Sequence, residues 1–298
     1  MPTRRIPVAK LSRVIVDNDY AGDPDGLVAL AHQLLTESTD VVAVTASTLP
    51  PPHSMPGGVP GSARAIAEEL LARLSPESIP VVPDDTSHAF ATLTEVPPAV
   101  ETIIAEAHRA SELPLFITCG GPLTNIAAAL REDPTIAQKF TLCWIGGGAH
   151  PTGGWEYNLA LDLPAAQYVF NESNVALHQF PQPTYRQCAY SNAELEDLLA
   201  RSGGEFGAWL YDQFTHPPEA IRIGDSWPQG DSPVILTTAL GTESSELRRL
   251  QTPWITDDLR YANHPRPREM VLYDRVDTRL LFGDFAARIR AQAAKSRS

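Results

Sequence analysis

Short apolar runs rich in β-branched residues alternate with amphipathic helical patterns along most of this chain of 298 residues. The apolar runs lie at residues 14–16, 41–46, 79–82, 115–118, 142–145 and 175–180. Each run predicts a buried strand, and the apolar spacing of residues 25–36 and 62–74 predicts a helix in each of those segments. The alternation predicts an α/β fold in which a mostly parallel central sheet carries helices on both faces, in an open Rossmann-like arrangement. Ligands of such sheets bind at the carboxyl ends of the strands, so functional residues should follow strands.

The length of the chain allows one substantial core without requiring a second, and we expect a single domain over residues 1–298. Residues 49–60, rich in proline and glycine, predict a loop that either covers the ligand crevice as a flap or lies inert on the surface. Residues 192–261 predict mostly helix, and residues 270–282 predict a last strand and helix.

Charge and apolar patterning exclude several classes of partner. The formal net charge of −13, with no long basic tract to offset it, disfavours nucleic acid and anionic membranes. No apolar run reaches the roughly 18 residues of a membrane span, and the first residues lack the apolar core of a secretory signal, so we expect a cytoplasmic protein. Cys119, Cys143 and Cys188 are odd in number and widely spaced, which predicts three buried thiols rather than disulfides or a zinc site.

Four aspartates fall close together where the first predicted strand turns into the first helix, in the segment VIVDNDYAGDPDGLVAL. Asp17 and Asp19 stand two apart at the strand end, and Asp23 followed by Pro24 predicts a helix N-cap with Asp25 in the first turn. Carboxylates this close repel one another unless a cation or a proton intervenes. The oxygen donors favour calcium or magnesium, and the high ligand number of calcium suits a site completed by hydroxyl groups. The alternative is an acidic capping turn with solvated side chains.

The stretch DNDYAGDPDGLVAL resembles the DxDPGxDDA signature of the nucleoside hydrolases, a family that cleaves the N-glycosidic bond of ribonucleosides. One residue, Pro24, is inserted relative to that signature. The resemblance implies that Asp19 is both a calcium ligand and the general base, and that Asp25 is a second ligand. It also implies that Asp23 contacts ribose and that Asp17 is a supporting carboxylate.

Three later segments resemble the same family and follow in the order of its motifs. FITCGGPLTNIAAAL is similar to the GPLTNIA segment and implies that the Gly120 main-chain carbonyl binds calcium. WEYN is similar to AEFN and implies that Glu156 and Asn158 bind ribose hydroxyls, while Asp162 is better interpreted as a helix cap. GDSPVIL is similar to HDPxA and implies that Asp231 completes the calcium site.

The resemblance implies a calcium-dependent N-ribohydrolase in which Asp19 takes a proton from the water that attacks C1′ of a nucleoside, giving ribose and free base. Many family members carry a histidine where this chain has Gly230, so His150 is the candidate for acting on the leaving base, or else a structural histidine. Trp155 and Trp227 are candidates for stacking on the nucleobase, with core or rim positions as alternatives. The segment ASTLPPPH lacks the family's Gly-Asn pair, which leaves the base preference open. The family also implies a homodimer or homotetramer.

Two other functions fit parts of the sequence. A non-catalytic calcium-dependent binder of ribose or nucleosides would keep the same ligands without turnover. A haloacid-dehalogenase-like phosphohydrolase would also carry a DxD after its first strand, but it needs a later lysine, which would have to be Lys139. It also leaves the WEYN and GDSP segments unexplained. The nucleoside hydrolase interpretation accounts for all four segments.

Overall fold

The computed structural model describes residues 6–47, 62–74, 79–83, 89–216 and 223–296, and the loop predicted at residues 49–60 lies outside them. The strands of the described residues are β1 (Ser12–Asn18), β2 (Thr39–Ala46), β3 (Val81–Pro83), β4 (Leu115–Cys119), β5 (Phe140–Ile145), β6 (Ala176–Phe180), β7 (Ala189–Ser191), β8 (Ser226–Pro228), β9 (Glu246–Gln251), β10 (Trp254–Ile255), β11 (Tyr261–Ala262) and β12 (Glu269–Arg275). The α-helices are α1 (Asp25–Leu35), α2 (Ser62–Leu74), α3 (Pro98–His108), α4 (Thr124–Glu132), α5 (Tyr157–Leu161), α6 (Leu163–Gln167), α7 (Gln182–Tyr185), α8 (Asn192–Leu195), α9 (Gly204–Asp212) and α10 (Thr278–Lys295).

Eight of the described strands form one sheet in the order β3-β2-β1-β4-β5-β6-β12-β9. In this spatial order, the seven strands from β3 to β12 all run parallel to their neighbours. The eighth strand, β9, pairs antiparallel with β12. The remaining strands form two small antiparallel pairs, β7 with β8 and β10 with β11. The predicted mostly parallel sheet is confirmed. The six predicted strands overlap β1 to β6, and the two predicted helices correspond to α1 and α2.

Successive residues of β1 point into two different cores. Ile15 belongs to a core that includes Ile103 of α3 and Ile126 of α4. Val14 and Val16 belong to the core on the opposite face, together with apolar residues of α1, α2 and α10. Because side chains alternate across a strand, these two cores lie on the two faces of the sheet. Helices therefore cover both faces, as predicted.

The prediction of mostly helix for residues 192–261 is wrong in its second half. β8, β9, β10 and β11 lie in this range, after α8 and α9. β9 is a largely exposed edge strand, so it lacks the apolar alternation that would identify it. Arg249 pairs with Glu269 at 2.7 Å and Arg248 pairs with Asp274, so cross-strand charges help to hold β9 to β12. The predicted last strand and helix are confirmed as β12 and α10.

The carboxyl ends of β1, β2 and β4 lie side by side. Parallel pairing places Asp17 level with Thr45 and with Cys119. The Gly120 N–H then donates to the Asp17 carbonyl at 3.1 Å, which extends the pairing beyond β4. Residues that follow these three strands therefore leave the sheet at the same edge.

Two further sequence predictions concern the three cysteines and the possibility of a membrane-spanning helix. Cys119, Cys143 and Cys188 are buried free thiols, as predicted. None of the helices in the described ranges has the length and apolar character needed to cross a membrane.

Candidate active site

Three buried aspartates meet at the carboxyl end of β1. Asp19 directly follows β1, Asp25 begins α1, and Asp231 lies in a turn 206 residues beyond Asp25. The Asp231 N–H donates to Asp25 Oδ2 at 3.2 Å, and the Asn18 amide donates to Asp231 Oδ2 at 2.8 Å. Each aspartate is at most 8% exposed. The fold therefore gathers at one place carboxylates that lie 206 residues apart in the chain.

Burial and mutual repulsion govern the ionisation of the carboxylate cluster, defined as Asp19, Asp23, Asp25 and Asp231. Burial raises the pKa of Asp19 and of Asp25 well above the ordinary aspartate value, and the charge of Asp231 raises both pKa values further. Burial also raises the pKa of Asp231 to about 7 and that of Asp23 to about 6. Negative charge is therefore costly in this cluster unless a cation or protons neutralise it.

The donor chemistry of the carboxylate cluster fits a hard divalent cation, because Asp19, Asp25 and Asp231 offer buried anionic oxygens. Among the described residues, however, no three His, Cys, Asp or Glu side chains already enclose a point that a metal ion could fill. The Gly120 carbonyl, the implied main-chain ligand, accepts a hydrogen bond from Asn158 Nδ2 at 2.8 Å. The carboxylate groups of Asp19, Asp25 and Asp231 therefore lie close together, but in the described part of the chain their oxygens do not surround one point at which an ion could bind.

Asp17 is completely buried and accepts hydrogen bonds from four side chains. The donors are Thr45 Oγ1 at 2.6 Å, Asn125 Nδ2 at 2.9 Å, Ser47 Oγ at 3.0 Å and Cys119 Sγ at 3.5 Å. These contacts tie β1 to β2, β4 and α4 directly beside the carboxylate cluster. Asn125 was not predicted, although its place in the GPLTNIA-like segment is the signal that could have identified it.

Glu156 is the N-cap of α5. Its carboxylate is 1% exposed and accepts from the backbone N–H groups of Gly147 at 2.7 Å, Leu159 at 3.0 Å and Asn158 at 3.2 Å. The Tyr185 hydroxyl donates to it at 2.9 Å. A carboxylate has about four acceptor positions, so these four donors occupy them. A ribose contact by Glu156, as the resemblance implied, would have to displace one of these bonds.

Asn158 has one polar atom left for a ligand. Its Nδ2 donates to the carbonyls of Gly120 at 2.8 Å and Ile145 at 2.9 Å, so Oδ1 is the atom that could accept from a hydroxyl. Asp162, which follows α5, accepts from the Ala165 N–H at 3.2 Å and caps α6. The interpretation of Asp162 as a helix cap is confirmed.

Asp23 is held by an aromatic side chain and, more weakly, by the first residue of α1. The Trp227 indole N–H donates to Asp23 Oδ1 at 2.7 Å, and the Asp25 N–H donates to the same oxygen at 3.4 Å. The residue before α1 is Pro24, so the predicted N-cap at Asp23 is displaced by one residue. Trp227 is 5% exposed and packs edge-on against Phe214, which makes it a core residue rather than a stacking surface.

Trp155 and Tyr157 stand on either side of Glu156 and are both exposed, Trp155 at 62% and Tyr157 at 37%. Burial, together with the charges of Asp19 and Asp23, raises the pKa of Tyr157 to about 12. The Tyr157 hydroxyl therefore lies within electrostatic reach of the carboxylate cluster. Tyr157 was not predicted as a site residue, although its position between Glu156 and Asn158 in WEYN was a sufficient signal.

The structure separates His150 from the carboxylate cluster. His150 Nε2 bonds to Gln179 Oε1 at 2.9 Å, and its ring lies 4.7 Å from that of Tyr261. It lines a cleft with residues of β9 and β11, and none of the four cluster aspartates lines that cleft. The Gly153 N–H donates to the Ala149 carbonyl at 2.7 Å, which closes a turn that contains His150. The structural alternative describes His150 better than the prediction of a leaving-group acid.

A side chain at Gly230 would be crowded. A Cβ at this position would lie 3.2 Å from Asp25 Oδ2 and 3.3 Å from Tyr185 Cδ2, so these side chains would have to shift by a few tenths of an ångström. The Tyr185 hydroxyl is bonded to Glu156, which restricts the movement of its ring. Tyr185 therefore lies beside the position at which, by the resemblance, many family members carry a histidine.

The rival phosphohydrolase interpretation does not fit the position of its lysine. Lys139 is exposed and immediately precedes β5. It therefore lies at the amino ends of the parallel strands, at the opposite edge of the sheet from the carboxylate cluster.

Comparisons with known proteins agree with this architecture. Residues 53–244 match the family model described as inosine-uridine preferring nucleoside hydrolase. The pyrimidine-specific ribonucleoside hydrolase RihA of Escherichia coli O1:K1 is 40% identical over 76 residues, and that of Citrobacter koseri is 38% identical over 76 residues. Each of these matches spans 24% of this chain and 24% of the relative.

Two solved structures share the fold. The plant nucleoside hydrolase PpNRh1 superposes with a TM-score of 0.74 at 23% identity, covering 94% of this chain and 99% of that one. The inosine-uridine preferring nucleoside hydrolase of Bacillus anthracis gives a TM-score of 0.71 at 18% identity with the same coverage. Since the family model spans well over half of the sequence, the chain belongs to the inosine-uridine preferring nucleoside hydrolase family.

Proposed function

We propose that this chain hydrolyses the N-glycosidic bond of ribonucleosides, giving ribose and a free base, with the help of a bound calcium ion. The observation that carries the proposal is the meeting of Asp19, Asp25 and Asp231 at the carboxyl end of β1 in a member of this family. The chain's relatives include proteins named as pyrimidine-specific and as inosine-uridine preferring hydrolases, which supports ribonucleosides as the substrate class.

Asp19, Asp25, Asp231 and the Gly120 carbonyl would hold the calcium ion. Bound calcium would supply the positive charge that offsets carboxylate repulsion and polarises the hydroxyls and water reaching the site. A carbonyl oxygen has two lone pairs, so the Gly120 carbonyl could bind calcium while it still accepts from Asn158 Nδ2.

Asp19 is the general base in this proposal. Asp19 is buried directly after β1, where its carboxylate can accept a proton from a water that reaches the cluster. It takes one proton from a water whose oxygen bonds to C1′ while the C1′–N bond breaks. The bonding pair leaves with the base, which then gains a proton. Positive charge that develops on the ribose ring is stabilised by the neighbouring carboxylates.

The remaining contacts position the substrate. Asn158 Oδ1 and Asp23 accept hydrogen bonds from ribose hydroxyls, and Glu156 keeps Asn158 in place by capping α5. Exposed Trp155 offers a flat surface for the base. The strands of the main sheet come from both ends of the chain, which supports one domain over residues 1–298. A homodimer or homotetramer is the assembly we expect from the family resemblance.

The test is an assay of reducing sugar released from inosine, adenosine, uridine and cytidine, with calcium and with a chelator. We expect calcium-dependent release, lowered about a hundredfold or more by Asp19→Asn. Asp197→Asn, which changes an exposed aspartate, is the control and should leave release unchanged. Nucleoside binding without release would indicate the non-catalytic binder. Release that neither the chelator nor Asp19→Asn affects would refute the mechanism.

A further inference from the structure

The side chain of Asn18 contacts two residues of the carboxylate cluster, Asp19 and Asp231. Asn18 Oδ1 accepts the Asp19 N–H at 2.8 Å, and Asn18 Nδ2 donates to Asp231 Oδ2 at 2.8 Å. Asn18 is 2% exposed. Since one end of the amide accepts and the other donates, these two contacts fix its orientation. Asn18 therefore links its neighbour Asp19 to Asp231, which lies 213 positions after Asn18 in the chain.

Two glycines form a slot for this amide. A Cβ at Gly26, in the first turn of α1, would lie 2.8 Å from Asn18 Nδ2, and a Cβ at Gly120, after β4, would lie 2.5 Å from it. Neither glycine has a positive φ, so the backbone does not require glycine at either position. Glycine also weakens a helix relative to alanine, which makes Gly26 unfavourable for α1 by itself. The Asn18 amide accounts for the glycine at position 26. At position 120 it does so together with the Asp231 carboxylate, whose Cγ and Oδ2 would each lie 2.6 Å from a Cβ.

Asn18 is also the sole hydrogen-bond donor to the Asp231 carboxylate among the described residues. The backbone of Asp231 is bonded to Asp25, but that contact does not orient the Asp231 side chain. Repulsion from Asp19 and Asp25 would turn an unheld carboxylate away from the cluster. A neutral N–H donor counters this repulsion without adding charge.

We infer that Asn18 is a positioning residue for the cation, which holds the Asp231 carboxylate toward Asp19 through an amide seated between Gly26 and Gly120. This inference rests on the calcium site of the proposed function. Asn18 is not itself one of the proposed calcium ligands. The inference also explains why Gly26 and Gly120 lack side chains, because a Cβ at either position would collide with the Asn18 amide.

The test is calorimetric titration of calcium chloride into the chelator-treated full chain and its variants. Asn18→Ala should weaken calcium binding about tenfold to a hundredfold, the range typical of residues that orient metal ligands. Exposed Asn263→Ala is its control and should bind calcium as the wild type does. Gly26→Ala keeps the amide but displaces it, so it should weaken binding in the same direction. Gly283→Ala, at a helical glycine with open space around it, is the matched control.

The outcomes separate the two proposals. Wild-type affinity in folded Asn18→Ala would refute the positioning role and leave the calcium site standing. If Asn18→Ala fails to fold, as judged by circular dichroism, the affinity of Gly26→Ala decides in the same way. A wild-type chain that binds no calcium would refute the calcium site, and the role of Asn18 would fall with it.

Discussion

Asp17 shows how a buried charge can support a site without entering it. Four side chains from β2, the residue after β2, β4 and α4 donate to its carboxylate, and no part of Asp17 is exposed. Burial nonetheless raises its pKa, because four donors do not fully replace water. The residue is thus a junction of the elements that present the carboxylate cluster.

Asp17→Ala should destabilise the chain by about 3 kcal/mol or more, because it leaves several buried donors without an acceptor. Urea unfolding followed by circular dichroism measures the change, with Asp197→Ala at an exposed position as the control. A loss no larger than that of the control would contradict the junction role.

Gln229 is 1% exposed, and neither its Nε2 nor its Oε1 has a hydrogen-bond partner among the described residues. A buried amide without partners costs about 1 to 3 kcal/mol relative to a satisfied one. Gln229→Met keeps the length of the side chain and removes the polar atoms, so it should raise the free energy of unfolding by about 1 kcal/mol. A lower free energy of unfolding in this variant would show that the amide has a stabilising contact.

At the scale of elements, α10 closes one face of the sheet and depends on its N-cap. Asp277 Oδ1 accepts the Leu280 N–H at 2.8 Å, while Leu281, Phe285 and Ile289 are buried. Asp277→Ala should cost about 1 kcal/mol, the usual value of a lost cap. Asp277→Asn retains an acceptor and should lose much less. Equal losses in the two variants, measured by thermal unfolding, would refute the capping role.

The elements that the sequence predicted correctly are those whose own residues carry the signal. β1, β4 and β5 are mostly buried, and all six strands from β1 to β6 overlap apolar runs, while α1 and α2 have clear helical spacing. β9 depends instead on Arg248 and Arg249 meeting partners on β12, which no local pattern reveals. Trp227 is a second example, because its indole N–H bonds to Asp23, a residue 204 positions away that no local pattern reveals.

At the scale of the molecule, stability should depend on pH through His178, a residue of β6. Burial and the charge of Arg249 lower the pKa of His178 to about 4, against an unfolded value near 6.5. Between these values the unfolded chain binds a proton that the folded chain does not. The contribution of His178 to stability should therefore fall as pH drops through this window, by at most about 1.4 kcal/mol per pH unit, whereas carboxylates with raised pKa values, such as Asp231 at about 7, contribute in the opposite direction.

The check is urea unfolding at pH 7.5 and pH 5.0 for the wild type, His178→Phe and, as control, exposed His216→Phe. His178→Phe should lose less stability between the two pH values than either of the others. An unchanged pH dependence in His178→Phe would exclude this histidine as a source.

The candidate site could be predicted only in part from the sequence. Motif resemblance selected Asp19, Asp25 and Asp231, which the fold does bring close together. It could not select Asn18 or Tyr185, because the importance of each depends on a partner far along the chain, Asp231 and Glu156 respectively. Nor could it show that His150 bonds to Gln179 and lines a cleft to which none of the four cluster aspartates contributes.

We propose that Asp19, Asp25 and Asp231, which come from distant parts of the chain, form one calcium-dependent active site. The most direct test is the rate of base release from inosine and uridine after chelation, as calcium is added back to the wild type and to Asp231→Asn. We predict that calcium restores release in the wild type and that Asp231→Asn stays far below it at the same free calcium. Calcium-independent release by the wild type, or equal rates in the two proteins, would contradict the claim.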